Sequence, residues 1–155
     1  MISTAIELAK TVLIKPFEGY HKRLANGGCH AYPDPGTGGA PWTIGWGSTG
    51  KQIGKDTVWT LQQAETALTD HVLYFASAAL KLSPTLALAT DRQFAAIISF
   101  CYNCGLGNYK VSTLKRRVDA QDWFGAREEI IKWNKAAGRV LPGLTRRRQA
   151  EAALL

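Results

Sequence analysis

The glutamate whose surroundings best suit acid catalysis is Glu18, in the run Phe17-Glu18-Gly19. It follows a helical pattern that Pro16 should end or bend, and it precedes a glycine-rich stretch. An apolar neighbour such as Phe17 shields a carboxyl from water, and desolvation of this kind favours the protonated form that a general acid needs. A single glutamate is more often a solvated surface residue. Glu18 is therefore a candidate acid that requires partners.

Two segments after Glu18 could supply those partners. Tyr32-Pro33-Asp34-Pro35-Gly36 offers a second carboxylate, although an aspartate between prolines is also typical of a turn. Trp42-Thr43-Ile44-Gly45-Trp46-Gly47 offers a hydroxyl that could hold a water and indoles that could stack on sugar faces, although β-propensity and core packing also explain these residues. The candidate catalytic residues are Glu18, Asp34 and Thr43, and the candidate binding residues of this region are Tyr32, Trp42 and Trp46.

The elements that must position these residues change in type along the chain. Residues 2–13 place apolar side chains at helical spacing, with Thr4 and Glu7 as a capping-box pattern. Residues 19–55 are rich in glycine and proline with short Trp, Thr and Ile segments, which predicts a small β lobe with many turns. This lobe contains the candidate residues from Tyr32 to Trp46.

From Thr60 onward the pattern is helical. The pairs Thr60/Gln63 and Thr90/Gln93 predict capped helix starts, Gly105 to Asn108 should end the second of these helices, and Ser112 is a plausible cap for a short helix. Residues 138–143 read as a loop, with Thr145 as the cap of a last helix. The order of elements predicts an α+β fold in a single domain, residues 1–155. A β lobe of about residues 19–55 would face a helical lobe of about 60–155 plus the N-terminal helix, with a cleft between them.

The charge composition indicates the chemical class of the binding partner. Lys and Arg outnumber Asp and Glu by 19 to 12, which gives a net charge of +7 and favours an anionic partner such as a charged cell wall, a membrane surface or nucleic acid. No nucleic-acid recognition module accompanies the charge. The sequence shows no signal-peptide pattern and no stretch long enough for a transmembrane helix. We therefore expect synthesis in the cytosol, with release to any outside target by another protein.

The three cysteines, Cys29, Cys101 and Cys104, do not indicate a disulfide framework, because their number is odd. One bridge from Cys29 to either of the others stays open. Together with His30 they could be imagined around zinc, but the spacing matches no standard site. Cys101 and Cys104 lie in an apolar helical run, where a redox motif is not expected. We expect no metal and no cofactor.

Taken in order, these motifs resemble phage-type lysozymes, glycoside hydrolase family 24. The resemblance covers nearly the whole chain, which makes it more specific than any one motif. It implies hydrolysis of the β-1,4 bond between N-acetylmuramic acid and N-acetylglucosamine in bacterial peptidoglycan, causing lysis of the host cell. It is carried by Glu18-Gly19, Tyr32-x-Asp34, Thr43-Ile44-Gly45-x-Gly47, Gln93-Phe94-Ala95-Ala96, Ser99-Phe100-x-x-Asn103-x-Gly105, Ser112-Thr113-Leu114, Trp133-Asn134-Lys135-Ala136-x-Gly138, Gly143-Leu144-x-Arg146-Arg147 and Glu151.

The resemblance also implies roles. Glu18 would protonate the leaving oxygen, Asp34 would act as base or electrostatic partner, and Thr43 would orient the attacking water, as in inverting enzymes. Asn103 and Arg147 would join the substrate-binding residues. The implied partners are peptidoglycan and, for release, a holin-type membrane protein, with the chain acting as a monomer on the wall in the periplasm. The segments 21–30 and 36–41 are longer than in the family pattern, and so the placement of Asp34 is the most open.

The run Arg146-Arg147-Arg148 raises an electrostatic question. If Thr145 caps the last helix, these cations lie in its first turn, at the positive end of the helix dipole. A compensating carboxylate is therefore expected. In enzymes that the chain resembles, an arginine from this region lies near the catalytic glutamate. The remaining two arginines are expected to be solvated.

Three other functions remain open from the sequence. A lytic transglycosylase would cut the same bond with one carboxyl and no water, but it has no use for Asp34 and Thr43. A non-catalytic wall-binding module would need the tryptophans and not Glu18. A basic nucleic-acid binder has only the net charge in its favour.

Overall fold

The computed structural model describes residues 2–155, which divide into two compact units. The first, here the helical unit, comprises residues 2–13 and Val72–Leu155, and the second, here the β unit, comprises Ile14–His71. Both divisions fall inside helices. The predicted lobes of about 19–55 and 60–155 therefore have different limits from the units, because the β unit also takes in the helical residues on either side of its strands.

The N-terminal helix changes geometry instead of ending at Pro16. It runs as α1 (Ile2–Leu8), continues as a π-helical segment (Ala9–Ile14) and finishes as α2 (Lys15–Glu18). Proline has no N–H to donate and crowds the carbonyl of the preceding turn, and here it stands in the first turn of a new α segment, where it is tolerated. Thr4 lies inside α1, so the predicted capping role of Thr4 and Glu7 was wrong. Gly19 ends α2 with a φ of +73°.

The β unit holds four strands of two residues each. The first pairs antiparallel with the fourth and the second with the third, while single bridges join Tyr32 to Thr43 and Arg23 to Cys29. The β region therefore extends past the predicted limit of about residue 55, because the partner of the first strand lies beyond it. The strands are β1 (Cys29–His30), β2 (Thr43–Ile44), β3 (Ser48–Thr49) and β4 (Val58–Trp59).

A long helix, α3 (Leu61–Leu82), follows β4. Its predicted start is confirmed: the Thr60 hydroxyl accepts from the N–H of Gln63, and the Gln63 side chain accepts from the N–H of Thr60. Across residues 2–155, none of the helices is both long enough and apolar enough to cross a membrane.

The core of the helical unit is α4 (Asp91–Cys104), which packs against α1 and against two later helices. Thr90 and Gln93 form the predicted capping box at its start, and Gly105, with a φ of +86°, ends it. Every residue from Phe94 to Cys101 is buried, so the middle of this helix is enclosed by protein on all sides. The cysteines of the C-x-x-C pattern lie in this helix, as predicted.

Shorter elements complete the helical unit. Ser112 caps its helix as predicted, whereas the predicted loop at 138–143 contains a strand and the start of the last helix. The last helix begins at Pro142, so the prediction that Thr145 caps it was wrong. These elements are the 3-10 helix Pro84–Leu88, α5 (Leu106–Val111), α6 (Thr113–Asp119), α7 (Trp123–Ile130), β5 (Lys135–Ala136), β6 (Arg139–Val140) and α8 (Pro142–Ala152).

Candidate active site

Glu18 is the last residue of α2 and is half-buried. Its carboxylate lies against the turn that joins β2 to β3: the Oε2 atom is 3.1 Å from the position that a Cβ on Gly47 would occupy. Gly47 also has a φ of +87°, which disfavours any residue with a side chain. The absence of a side chain at Gly47 therefore allows the close approach of the carboxylate to this turn.

Tyr32 and Thr43 lie side by side in the same unit. Each donates its backbone N–H to the carbonyl of the other, at 2.9 Å in both directions. On its other edge Thr43 is paired with Thr49, so its backbone is fixed from both sides. Burial raises the pKa of the Tyr32 phenol, and the nearby charge of Glu18 raises it further. The structure thus brings Tyr32 and Thr43 to the neighbourhood of the candidate acid.

His21 also belongs to this neighbourhood, and sequence reasoning missed it as a site residue. Its Nε2 lies 3.2 Å from the backbone oxygen of Glu18, and its ring meets that of Tyr32 edge-on, with centroids 5.4 Å apart. His21 lies in the segment 21–30, which is longer than in the family pattern. Its spacing of three residues from Glu18 was the available signal.

Asp34 forms the turn that its flanking prolines indicated. Its Oδ1 accepts from the N–H groups of Gly36 at 2.8 Å and Thr37 at 3.1 Å, and its backbone carbonyl accepts from Gly38. An aspartate that bonds the backbone two residues ahead is a well-known turn former. One carboxylate oxygen is thus used to hold the turn. The catalytic role of Asp34 stays a prediction.

The two tryptophans of the Thr43 segment differ in environment. Trp42 is half-buried and lines a groove of about 600 Å³ together with Thr49 and Lys51. Trp46 is only 7% exposed and packs against the ring of Tyr20, with the ammonium of Lys15 over it. Trp42 is therefore accessible to a ligand. Sugar stacking on Trp46 stays a prediction that its burial does not favour.

The remaining predicted binding residues lie in the helical unit. Asn103 is exposed near the end of α4 and lines a groove of about 360 Å³ that also includes Trp133 and Lys135. Its side-chain oxygen accepts from the guanidinium of Arg148 at 2.9 Å, which leaves its amide N–H groups for other partners. Arg147 is only 3% exposed, with its Nε 3.5 Å from the carboxylate of Glu151.

A buried ionic network centres on Glu151, which is fully buried together with Arg148. Arg148 Nε lies 2.8 Å from one carboxylate oxygen of Glu151, and Arg148 Nη2 donates to the other at 2.9 Å. The Ser99 hydroxyl donates to that same oxygen at 2.7 Å. Burial raises the pKa of Glu151, while Arg148, Ser99 and Arg147 act in the opposite direction.

The expectation that two of the three consecutive arginines are solvated was wrong. Arg147 and Arg148 are buried, and Arg146 is the exposed member. Both buried arginines lie one turn before Glu151 on the same helix, where its carboxylate compensates their charge. Glu151 is thus a compensating carboxylate of the kind expected for this cluster.

The three cysteines are free thiols. Burial raises the pKa of Cys101, which makes its thiol less reactive. Over residues 2–155 no group of three or more His, Cys, Asp or Glu side chains is arranged to hold a metal ion.

Comparison with known proteins identifies the class of the chain. Its α+β architecture is lysozyme-like: it matches the muramidase domain of SpmX from Asticaccaulis excentricus with 30% identity and a TM-score of 0.74, over 99% of this chain and 96% of that one. An endolysin from Escherichia coli O157:H7 phage FAHEc1 matches with 28% identity and a TM-score of 0.72, over 97% and 89%. The phage lysozyme family model matches residues 17–151, and the chain belongs to that family.

Curated relatives agree with this assignment. An endolysin of Acyrthosiphon pisum secondary endosymbiont phage 1 is 37% identical over 147 residues, which is 92% of each chain. An endolysin of Bacillus phage B103 is 37% identical over 142 residues, which cover 92% of this chain and 50% of the relative. The chain thus spans about half the length of the Bacillus phage relatives that it matches.

Proposed function

We propose that this protein is an endolysin that hydrolyses the β-1,4 bond between N-acetylmuramic acid and N-acetylglucosamine in peptidoglycan. The observation that carries the proposal is the placement of Glu18. Its carboxylate is held at the end of α2 against Gly47, in the turn that follows Thr43, and both segments lie within the family match over residues 17–151. The release of new reducing ends from purified peptidoglycan tests this activity.

In the proposed mechanism Glu18 gives its proton to the glycosidic oxygen as the bond to the leaving sugar breaks. Thr43 orients the attacking water through its hydroxyl, and Asp34 serves as base or as a negative charge that stabilises the oxocarbenium-like transition state. The Tyr32 phenol is protonated at neutral pH even with its ordinary pKa, and the raised pKa extends this to more alkaline pH, so this group can donate a hydrogen bond beside Glu18.

We assign substrate binding to those predicted residues whose side chains are accessible to a ligand. Trp42 offers an indole in a groove next to Thr49, which pairs with Thr43. Asn103 offers amide N–H groups to acceptors such as acetamido carbonyls, because its oxygen is occupied by Arg148. Arg147 is buried beside Glu151, and its role in substrate binding stays a prediction.

The route by which the protein reaches the bacterial cell wall is also part of the proposal. We propose a single catalytic domain over residues 1–155 that acts as a monomer on the wall in the periplasm, after a holin-type membrane protein opens the inner membrane. The net charge of +7 suits a polyanionic wall. Nucleic acid is not a proposed partner.

A lytic transglycosylase is the second candidate, and the geometry of Asp34 is what favours it. One carboxylate oxygen of Asp34 is committed to its own turn, which would suit an enzyme that uses a single carboxyl. Such an enzyme leaves 1,6-anhydro ends instead of reducing ends, so the products separate the two.

Asp34→Asn should lower the rate of peptidoglycan cleavage by at least about tenfold, which corresponds to about 1.4 kcal/mol of transition-state stabilisation. Asparagine keeps the Oδ1 acceptor that holds the turn, so the free energy of unfolding should change little. Steady-state rates and urea unfolding measure the two quantities separately. An unchanged rate would remove the negative charge of Asp34 from the mechanism.

Gly47→Ala should lower turnover more than it lowers stability. The new Cβ would lie 3.1 Å from the Glu18 carboxylate at a φ of +87°, and this backbone region costs a non-glycine residue about 1–2 kcal/mol. The carboxylate must shift to make room. Gly27→Ala is the matched control in the same unit, because Gly27 has a φ of +84° and its Cβ would meet no atom within 4 Å. Equal turnover of the two variants would contradict the proposed approach of Glu18 to Gly47.

A further inference from the structure

We propose that Lys15 and Tyr20 are positioning residues that grip Trp46 and thereby hold Gly47 against the Glu18 carboxylate. The kinetic consequence rests on the proposed function. The positioning itself is a property of the β unit and can be tested without activity.

The turn that carries Gly47 needs an anchor. Gly45 and Gly47 flank Trp46 with φ values of +62° and +87°, and glycines leave the backbone more conformational freedom than any other residue. The only side chain between them is that of Trp46, which is 7% exposed. The position of the turn therefore depends on how firmly the indole is held.

Two groups hold the indole. The ring of Tyr20 lies with its centroid 4.6 Å from that of Trp46 at an interplanar angle of 35°, and the Lys15 ammonium lies 4.4 Å from the Trp46 ring centroid. A cation over an indole is attracted by the ring quadrupole, more strongly where water is excluded. Lys15 is itself held in an ion pair with Glu65 of α3.

Both gripping residues are close to the acid in sequence. Lys15 lies three residues before Glu18, in the same α2 turn, and Tyr20 lies two residues after it. One short segment therefore presents the carboxylate and also grips the turn that the carboxylate touches. This arrangement couples the placement of Glu18 to that of Gly47.

Weaker contacts of Lys15 and Tyr20 with Trp46 should slow the chemical step. Neither Lys15 nor Tyr20 lines the groove beside Trp42, so we expect substrate still to bind. The carboxylate and the turn would no longer keep a fixed separation, and a misplacement of about 1 Å can cost about a hundredfold in rate. The expected signature is a lower kcat with an almost unchanged KM.

The test compares Lys15→Met with Lys55→Met, an exposed lysine of the same unit, so that both variants lose one positive charge. On a short neutral oligosaccharide, we expect kcat of Lys15→Met to fall about tenfold, with KM unchanged and Lys55→Met like the wild type. Tyr20→Leu, which loses the ring, should fall similarly. Tyr20→Phe, which keeps the ring and loses the hydroxyl bond to Gly27, should fall less.

Amide hydrogen exchange over residues 45–48 gives a second readout that needs no activity. Exchange should be faster in Lys15→Met and Tyr20→Leu than in Lys55→Met and the wild type.

If the wild type cleaves and Lys15→Met matches Lys55→Met in kcat and exchange, the grip is disproved. If the wild type has no activity, the proposed function fails. Amide hydrogen exchange then still tests whether Lys15 and Tyr20 hold Trp46 in place. If Lys15→Met does not fold, the comparison of amide exchange between Tyr20→Leu and Tyr20→Phe replaces it. Equal exchange in these two variants would overturn the proposal.

Discussion

Replacing Glu18 by glutamine should abolish the cleavage of peptidoglycan and leave the fold intact. General acid catalysis contributes about a hundredfold to ten-thousandfold, and an amide cannot supply the proton that the leaving oxygen takes. Glutamine has nearly the same shape, so it can occupy the half-buried position against Gly47. Turnover of purified peptidoglycan and the thermal midpoint, measured on the same preparation, separate the lost chemistry from any lost stability.

Glu128→Gln is the matched control for this change, since it removes the same charge from an exposed position of α7. It should retain wild-type turnover. A Glu18→Gln protein with near-normal turnover would remove Glu18 from the mechanism, and it would then favour neither the hydrolase nor the transglycosylase.

The second large effect concerns stability. Glu151→Gln should lower the free energy of unfolding by about 3–5 kcal/mol, because it leaves the buried Arg148 guanidinium without its compensating charge. Single domains are stable by only about 5–15 kcal/mol in total. Urea unfolding should therefore show a much lower midpoint with an unchanged slope.

Two comparisons make this prediction specific. Lys132→Met breaks an ion pair with Glu129 whose lysine is largely exposed, and it should change stability by less than about 1 kcal/mol. The double variant Arg148→Met with Glu151→Leu removes both charges of the closest pair and should recover part of the loss, since Arg147 keeps its charge beside position 151. If Glu151→Gln and Lys132→Met were equally stable, the network would not have the structural role that its burial indicates.

Local features of the fold could be predicted from the sequence. The capping pairs Thr60/Gln63 and Thr90/Gln93, and the cap at Ser112, depend on side chains three residues from their partners, so a short window contains the whole interaction. Thr145 failed because Pro142 had already supplied a favourable first helical position, which was the stronger signal.

Features that depend on distant residues could not be predicted in the same way. The pairing of Cys29 with Trp59 fixes the extent of the β region, and strands of two residues show no alternation that would reveal them. The burial of Arg147 and Arg148 likewise depends on the packing of α8 in the helical unit.

In the candidate site, the roles of the residues stay predictions. The structure pairs the backbones of Tyr32 and Thr43, a contact that the sequence did not predict. The two tryptophans of one motif have different environments: Trp42 lines a groove, whereas Trp46 is packed under Tyr20 and Lys15. The residue type alone could not distinguish a tryptophan that stacks on sugars from one that holds a turn in place, since both roles need a large aromatic ring.

Mass spectrometry of the fragments released from purified peptidoglycan is the most direct test of the proposed activity. The wild-type protein should release muropeptides that end in reducing N-acetylmuramic acid, with one water added for each bond cut, and Glu18→Gln should release none. Fragments that end in 1,6-anhydromuramic acid would show a transglycosylase, and cleavage within the stem peptides would show a different bond specificity. Either result, or an absence of fragments from the wild type, would contradict hydrolysis of the glycosidic bond by Glu18.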